Sequence, residues 1–309
     1  MSQTVPPFVV AAPARISAPP RSAAPTPVAT RVPLGIPAAT HSTLDALQLE
    51  IAGIAVHVLD ESGALGIIAE AGRRHPAAPL AIASVNLDHI HHFGRRNGAR
   101  AGTTPRHATV PTGGGVRWLN LIDGAPIAQQ VRRRTGAPHP RLAGSDLIGG
   151  VLDDAAAGGL TVAVLGGAPE LRDALTRRLR ERWPSLRYAG HWTPAREELD
   201  SPDRCVAIAA EIRETGADIV VVCLGKPRQE DWIDAYGVAT GAGALLAFGA
   251  VVDFLAGRVS RAPRWVSAAG MEWMWRLMLE PRRLARRYLI EGPAAYVAVR
   301  RSSAHPRRA

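Results

Sequence analysis

Cysteine is nearly missing from this chain. Two in 309 residues give no disulfide framework, which argues against a stapled secreted scaffold. Cys205 and Cys223 read as reduced core residues of a cytosolic protein, Cys223 within an apolar run. Long apolar runs are missing too: the charge-free stretch Gly237 to Val252 is glycine-rich and shorter than the ~20 residues needed to cross a bilayer. The first ten residues lack the basic start of a secretory signal, and prolines interrupt each apolar run after them. A soluble or peripheral protein is expected. No internal repeat is apparent, and nothing resembles a helix-turn-helix, a zinc finger or an aromatic RNA-binding strand. Acidic residues are scarce at one end. From Arg258 to Ala309 twelve arginines face only Glu272, Glu280 and Glu291, which places nine of the +10 net charges in the last sixth of the chain. Such a tail suits an anionic surface. With no nucleic-acid motif present, the expected partner is an anionic membrane surface and no nucleic acid.

What is present divides the chain in three. Residues 1–42 hold nine of the 25 prolines among Ala, Ser and Thr, too little apolar surface to offset ordering entropy, so this segment is expected to be disordered. Residues 43–257 alternate apolar strands with helical patterns. Ile51 to Val58 reads as a strand or hairpin, Leu80 to Asn86, Leu160 to Leu165 and Asp218 to Leu224 as strands, and Tyr188 to His191 as a short one. Ala244 to Val252 reads as a last strand running into Asp253. Helices are expected over 63–74, 88–96, 169–183, 205–215 and 232–239, another beginning in Val116 to Ile122, and one capped by Ser145 or Asp146 through Ala156. This order predicts an α/β fold: a doubly wound, mostly parallel Rossmann-like sheet. Residues 258–309 predict a basic helical appendage, with Met271, Met274, Trp275 and Met278 on one face and Arg282/Arg286 and Arg283/Arg287 forming a stripe.

Ligands of such sheets bind outside the carboxyl ends of the strands. Gly166-Gly167 ahead of a helix lets backbone N–H groups approach a diphosphate, although such a pair is also a common tight turn. Gln229 can hydrogen-bond a uracil or sugar edge, and Lys226 or Arg228 can offset leaving-group charge. Against this, Gln229 and Glu230 are also suited to capping the helix that holds Trp232, and Asp253 to pairing with Arg258 or Arg261. Of His89, His91 and His92 only the first and last share a helical face. No Cys or carboxylate pattern completes a zinc site, so no metal is expected and an exposed or substrate-edge helix is.

The ordered motifs Ser84-Val-Asn86, Arg141-Leu-Ala-Gly-Ser-Asp146, Leu165-Gly-Gly-Ala-Pro169, Leu224-Gly-Lys-Pro-Arg-Gln-Glu-Asp-Trp-Ile233, Phe248-Gly-Ala-Val-Val-Asp-Phe-Leu-Ala-Gly257, Arg261-Ala-Pro-Arg-Trp265, Gly270-Met-Glu-Trp-Met-Trp-Arg-Leu277 and Glu280-Pro-Arg-Arg283 resemble the WecG/TagA/CpsF bacterial glycosyltransferases. The resemblance spans roughly Gly53 to Tyr296. It implies an inverting transfer, with no cofactor, from a UDP-sugar onto a polyprenyl-diphosphate-linked saccharide at the inner face of the cytoplasmic membrane. Gly166, Gly167, Lys226, Arg228, Gln229, Glu230 and Asp253 fall on its donor side. Arg261, Arg264, Trp273, Arg276, Arg282, Arg283, Arg286 and Arg287 fall on its membrane or lipid-diphosphate side. A homo-oligomer is compatible with the sequence.

One departure stands out. The family carries an Asp-Gly after its second helix whose aspartate is taken as the general base. The segment Val110-Pro-Thr-Gly-Gly-Gly-Val116 puts Thr112 at that place, beside Ser84 and Asn86, and a hydroxyl is a poor base at neutral pH. Three expectations follow: Asp146 or Asp88 takes over as base, or the enzyme works by positioning alone, or the chain binds nucleotide-sugar or lipid-linked sugar without turnover.

Overall fold

A computed structural model describes residues 48–94, 115–258, 272–279 and 285–302. The N-terminal segment 1–42 lies outside the described residues. The chain enters through a hairpin, β1 (Gln48–Ile51) and β2 (Ile54–His57), turned at Ala52-Gly53 with both φ values positive, the backbone that a two-residue hairpin with a right-handed twist requires. Then come α1 (Glu61–Arg74), β3 (Leu80–Val85), α2 (Leu87–Phe93), β4 (Arg117–Ile122), α3 (Ala125–Thr135) and α4 (Gly144–Gly158). The second half runs β5 (Thr161–Gly166), α5 (Arg172–Arg182), β6 (Arg187–Trp192), α6 (Arg196–Leu199), α7 (Pro202–Glu214), β7 (Ile219–Cys223), α8 (Arg228–Tyr236), β8 (Ala244–Ala247) and α9 (Val251–Leu255). Past residue 258, α10 (Glu272–Leu279), a π-helical turn at Arg287–Glu291 and α11 (Gly292–Arg301) follow.

The eight strands form one sheet in the order β1-β2-β4-β3-β8-β7-β5-β6. Every pairing except the β1–β2 hairpin is parallel. The doubly wound α/β expectation therefore holds. Two half-sheets, β2–β4 and β5–β8, meet where β3 pairs with β8, Leu80 opposite Ala244 through Ala83 opposite Ala247. The central strands β3, β7 and β8 are buried along their whole length, as parallel strands covered on both faces must be. Alternate residues go to opposite layers. Leu80, Ile82, Leu119, Leu121, Val164, Val221 and Leu246 pack under α1, α4, α5 and α9. On the other face α7 and α8 cover Ala81, Trp118, Ala163, Val220 and Leu245, while α2, α3, α11 and the hairpin cover Val85 and Ile122.

Three local expectations are corrected. Residues 117–122 form a strand, not the start of a helix. Leu119 and Leu121 face one layer and Trp118 and Ile122 the other, and burial on both sides erases the alternation that marks a strand. The last strand ends at Ala247 rather than continuing to Val252; Phe248-Gly249-Ala250 turns, and Asp253 lies on α9. Helix α4 is not capped by Ser145 or Asp146. Its N-cap is Ala143, and the Gly144 N–H donates to Ser84 Oγ at 3.0 Å.

Part of the expected appendage shares the core of the α/β domain. In α11, Ala295 and Val299 are buried with Ile90, Ile127 and Val131. The helix end is tied down by Ser302: its carbonyl accepts from Gln130 Nε2 and Arg134, and its hydroxyl accepts from Arg134 and from the Ala52 N–H.

Candidate functional site

The carboxyl ends of β3, β4, β5, β7 and β8 share one edge of the parallel sheet, and Ser84, Asn86, Gly166, Gly167, Lys226, Arg228, Gln229 and Glu230 lie at or just past them. The β3 end supplies Ser84 and Asn86. Ser84 is buried, and its hydroxyl donates to the Leu142 carbonyl (3.4 Å) while accepting from the Gly144 N–H, so it fixes the start of α4. Asn86 is the N-cap of α2: its Oδ1 accepts from the His89 N–H at 3.2 Å. Its Nδ2 donates to Asp123 Oδ2 at 2.9 Å.

Asp123 is the residue that sequence reasoning missed. It follows β4 directly, with its N–H on the Val85 carbonyl. Gly124 after it adopts φ 75 and turns the chain into α3. Only a residue free of the Cβ penalty adopts that backbone readily, so Asp123-Gly124 is a compact device for presenting a carboxylate at a strand end. The signal was in the sequence as an Asp-Gly closing an apolar run. It is visible only once that run is a strand.

Thr112 lies outside the described residues. Asp146 stands exposed on the first turn of α4. Asp88 is buried on α2, 3.6 Å from His92.

At the β7 end the loop Leu224–Pro227 leads into α8. Lys226 is the only lysine of the chain. Its Nζ donates to the Ser84 carbonyl at 2.6 Å, with His89 Nδ1 at 3.3 Å and Glu230 Oε1 at 3.7 Å. Gln229 and Glu230 are both buried. Gln229 Nε2 donates to the Ala247 carbonyl and to Glu230 Oε1, which ties α8 to β8. Burial pushes the Glu230 carboxyl up to about 7, with Lys226 and Gln229 pulling it down and Asp88 adding to the rise. His89, expected on an exposed or substrate-edge helix, is fully buried. Arg228 is half-buried at the first turn of α8.

Gly166 and Gly167 have φ values of 95 and 87. A Cβ on Gly166 would lie 2.5 Å from the Cys223 carbonyl oxygen, and one on Gly167 would lie 2.8 Å from Val252. The Gly167 N–H is bonded to the Cys223 carbonyl, so close packing of β5 on β7 and α9 accounts for both glycines. Asp253 lies 3.7 Å from Arg258, the ion pair left open by the sequence.

In the tail, Arg261, Arg264, Arg282 and Arg283 lie outside the described residues. Trp273, Arg276 and Arg287 are described through their backbone alone, in α10 and the π turn. Arg286 pairs with Glu291 at 3.0 Å, and His91 Nε2 lies 4.0 Å from the same carboxylate. Met274, Met278, Leu289 and Ile290 are exposed. Among the described residues no helix is long and apolar enough to cross a membrane, and no group of three or more His, Cys, Asp or Glu is arranged to hold a metal ion.

A two-half parallel sheet with polar residues gathered at its carboxyl edge defines a doubly wound α/β protein, a class whose ligands bind in the crevice outside those strand ends. The family model described as "Glycosyl transferase WecG/TagA/CpsF family" matches residues 49–309. The chain belongs to that family.

Proposed function

We propose that the protein transfers a sugar from a UDP-sugar to a polyprenyl-diphosphate-linked saccharide with inversion, and that Asp123 is the general base. The observation that carries this reading is the Asn86–Asp123 pair at the adjoining ends of β3 and β4. In this reading Asp123 supplies the carboxylate that Thr112 cannot. Asp123 takes the proton from an acceptor hydroxyl. That oxygen attacks the anomeric carbon on the face opposite the diphosphate, the bond to UDP breaks, and UDP leaves with its electron pair. Asn86 holds one carboxylate oxygen and leaves the other for the acceptor. Arg228, at the mouth of the β7–α8 loop, supplies positive charge toward the donor diphosphate.

Docking at the inner face of the cytoplasmic membrane is the second half of the reading. Its support is the exposed apolar set Met274, Met278, Leu289 and Ile290 beside an arginine-rich tail, the pairing that anchors peripheral helices at a bilayer interface.

The direct test combines two measurements. One UDP-sugar should protect the protein against thermal unfolding, by ~2.7 kcal/mol at 100 times its dissociation constant. The same sugar should then be transferred to a polyprenyl-diphosphate acceptor with inverted anomeric configuration. Protection without transfer to any such acceptor would reduce the protein to a binder, and a retained configuration would exclude the single displacement.

A further inference from the structure

The chain has 37 Lys and Arg residues, and Lys226 is the one lysine among them. An arginine serves at every other basic position, so what distinguishes this one is its surroundings. The side chain is 10 % exposed. Around its nitrogen stand three acceptors from three elements: the Ser84 carbonyl at the end of β3, His89 Nδ1 on α2 and Glu230 Oε1 on α8. An ammonium points its three hydrogens tetrahedrally from one atom, whereas a guanidinium spreads five in a plane. Acceptors converging on a point fit the first and not the second.

The position matters as much as the fit. Lys226 belongs to the half-sheet β5–β8 and Ser84 to β2–β4, with β8 lying between β7 and β3. The Nζ–Ser84 bond is therefore a strut across the seam of the two halves. Two residues beyond Ser84, Asn86 makes its bond to Asp123. His89 is held twice, by its N–H on Asn86 Oδ1 and by its ring beside Nζ. The turn that carries Asn86 is thus gripped from both ends.

The geometry points to Lys226 as a positioning residue, whose ammonium, seated by Glu230 and His89, locks the β3–α2 turn so that Asn86 meets Asp123, and which does not itself contact the departing diphosphate. This rests on reading Asn86–Asp123 as the reaction centre. The charged groups facing Glu230 are Lys226 from its own loop and His89 and Asp88 from α2. Desolvation holds its carboxyl at about 7, so the counter-charge of the strut changes near neutrality, which supplies a readout that packing alone would not give.

A chain with a single lysine can be labelled at one ammonium by [15Nζ]lysine. The wild type should show one protected ammonium cross-peak that shifts with a midpoint near neutral pH, and Glu230→Gln should abolish the shift while the peak persists. With turnover, Lys226→Arg should lower kcat by ~10²-fold, the scale of a small misplacement, with KM for the UDP-sugar nearly unchanged. A cross-peak lost to fast solvent exchange and indifferent to Glu230→Gln would overturn the strut. So would Lys226→Arg that raises KM and spares kcat, the mark of a ligand contact. If the wild type transfers no sugar, the proposed function fails, and the ammonium spectrum still decides the strut by itself.

Discussion

His75 and Glu230 are held at opposite edges of the sheet, and both make the stability of the fold depend on pH. His75, at the left-handed C-cap of α1, places Nδ1 2.8 Å from the Gly241 carbonyl and Nε2 2.6 Å from Asp218 Oδ1. Both partners are acceptors, so both nitrogens donate and the ring is an imidazolium. Its pKa is raised, chiefly by the carbonyl, with Asp218 adding and burial opposing. A folded pKa above the unfolded 6.5 means stability that is complete below 6.5 and lost as pH rises through the raised value. Thermal unfolding should show wild type losing its advantage over His75→Asn, which tolerates the left-handed backbone, across that window. A difference that does not change with pH would contradict the imidazolium. Glu230 is the second such group. Its carboxyl rises from 4.5 to about 7, so the native state binds the proton more tightly than the unfolded chain. Stability should fall between those values by roughly 3 kcal/mol at most, and Glu230→Gln should flatten that limb of a denaturation series.

Strand ends decide where the chemistry can be. The Gly166 Cα approaches β7 so closely that a methyl group would strike the Cys223 carbonyl, and backbone cannot give way as a flexible side chain can. Gly166→Ala should cost roughly 2–4 kcal/mol in chemical denaturation, and an unchanged midpoint would show that β5 and β7 are not held as tightly as this. Most of the sheet was legible in the sequence because β3, β5 and β7 are apolar runs closed by Gly or polar residues. β4 was not. Trp118 and Asn120 interrupt its apolar pattern, and burial on both faces hides its period. That one misassigned element concealed Asp123. The burial of His89 and Gln229 was also hidden, since polar side chains declare their partners only when distant elements meet: Lys226 and Ser84 are 142 positions apart.

At the scale of the whole molecule the tail carries part of the core as well as the proposed membrane face. Its last helix is core, closed by Ser302 on Arg134 and the hairpin, so deleting the tail would remove part of the fold along with any membrane contact. Point changes separate the two. Met278 is 72 % and Ile290 69 % exposed, and Met278→Glu with Ile290→Glu should leave thermal stability nearly unchanged while reducing co-sedimentation with anionic vesicles. Equal sedimentation would move the membrane contact elsewhere. The carboxylate at the edge of the two half-sheets is tested most directly by the transfer rate of Asp123→Asn measured beside Asp146→Asn. Asp123→Asn should lose ~10²–10⁴ in kcat with UDP-sugar protection intact, and Asp146→Asn should change little. Full activity in Asp123→Asn, or a comparable loss in Asp146→Asn alone, would contradict Asp123 as the base.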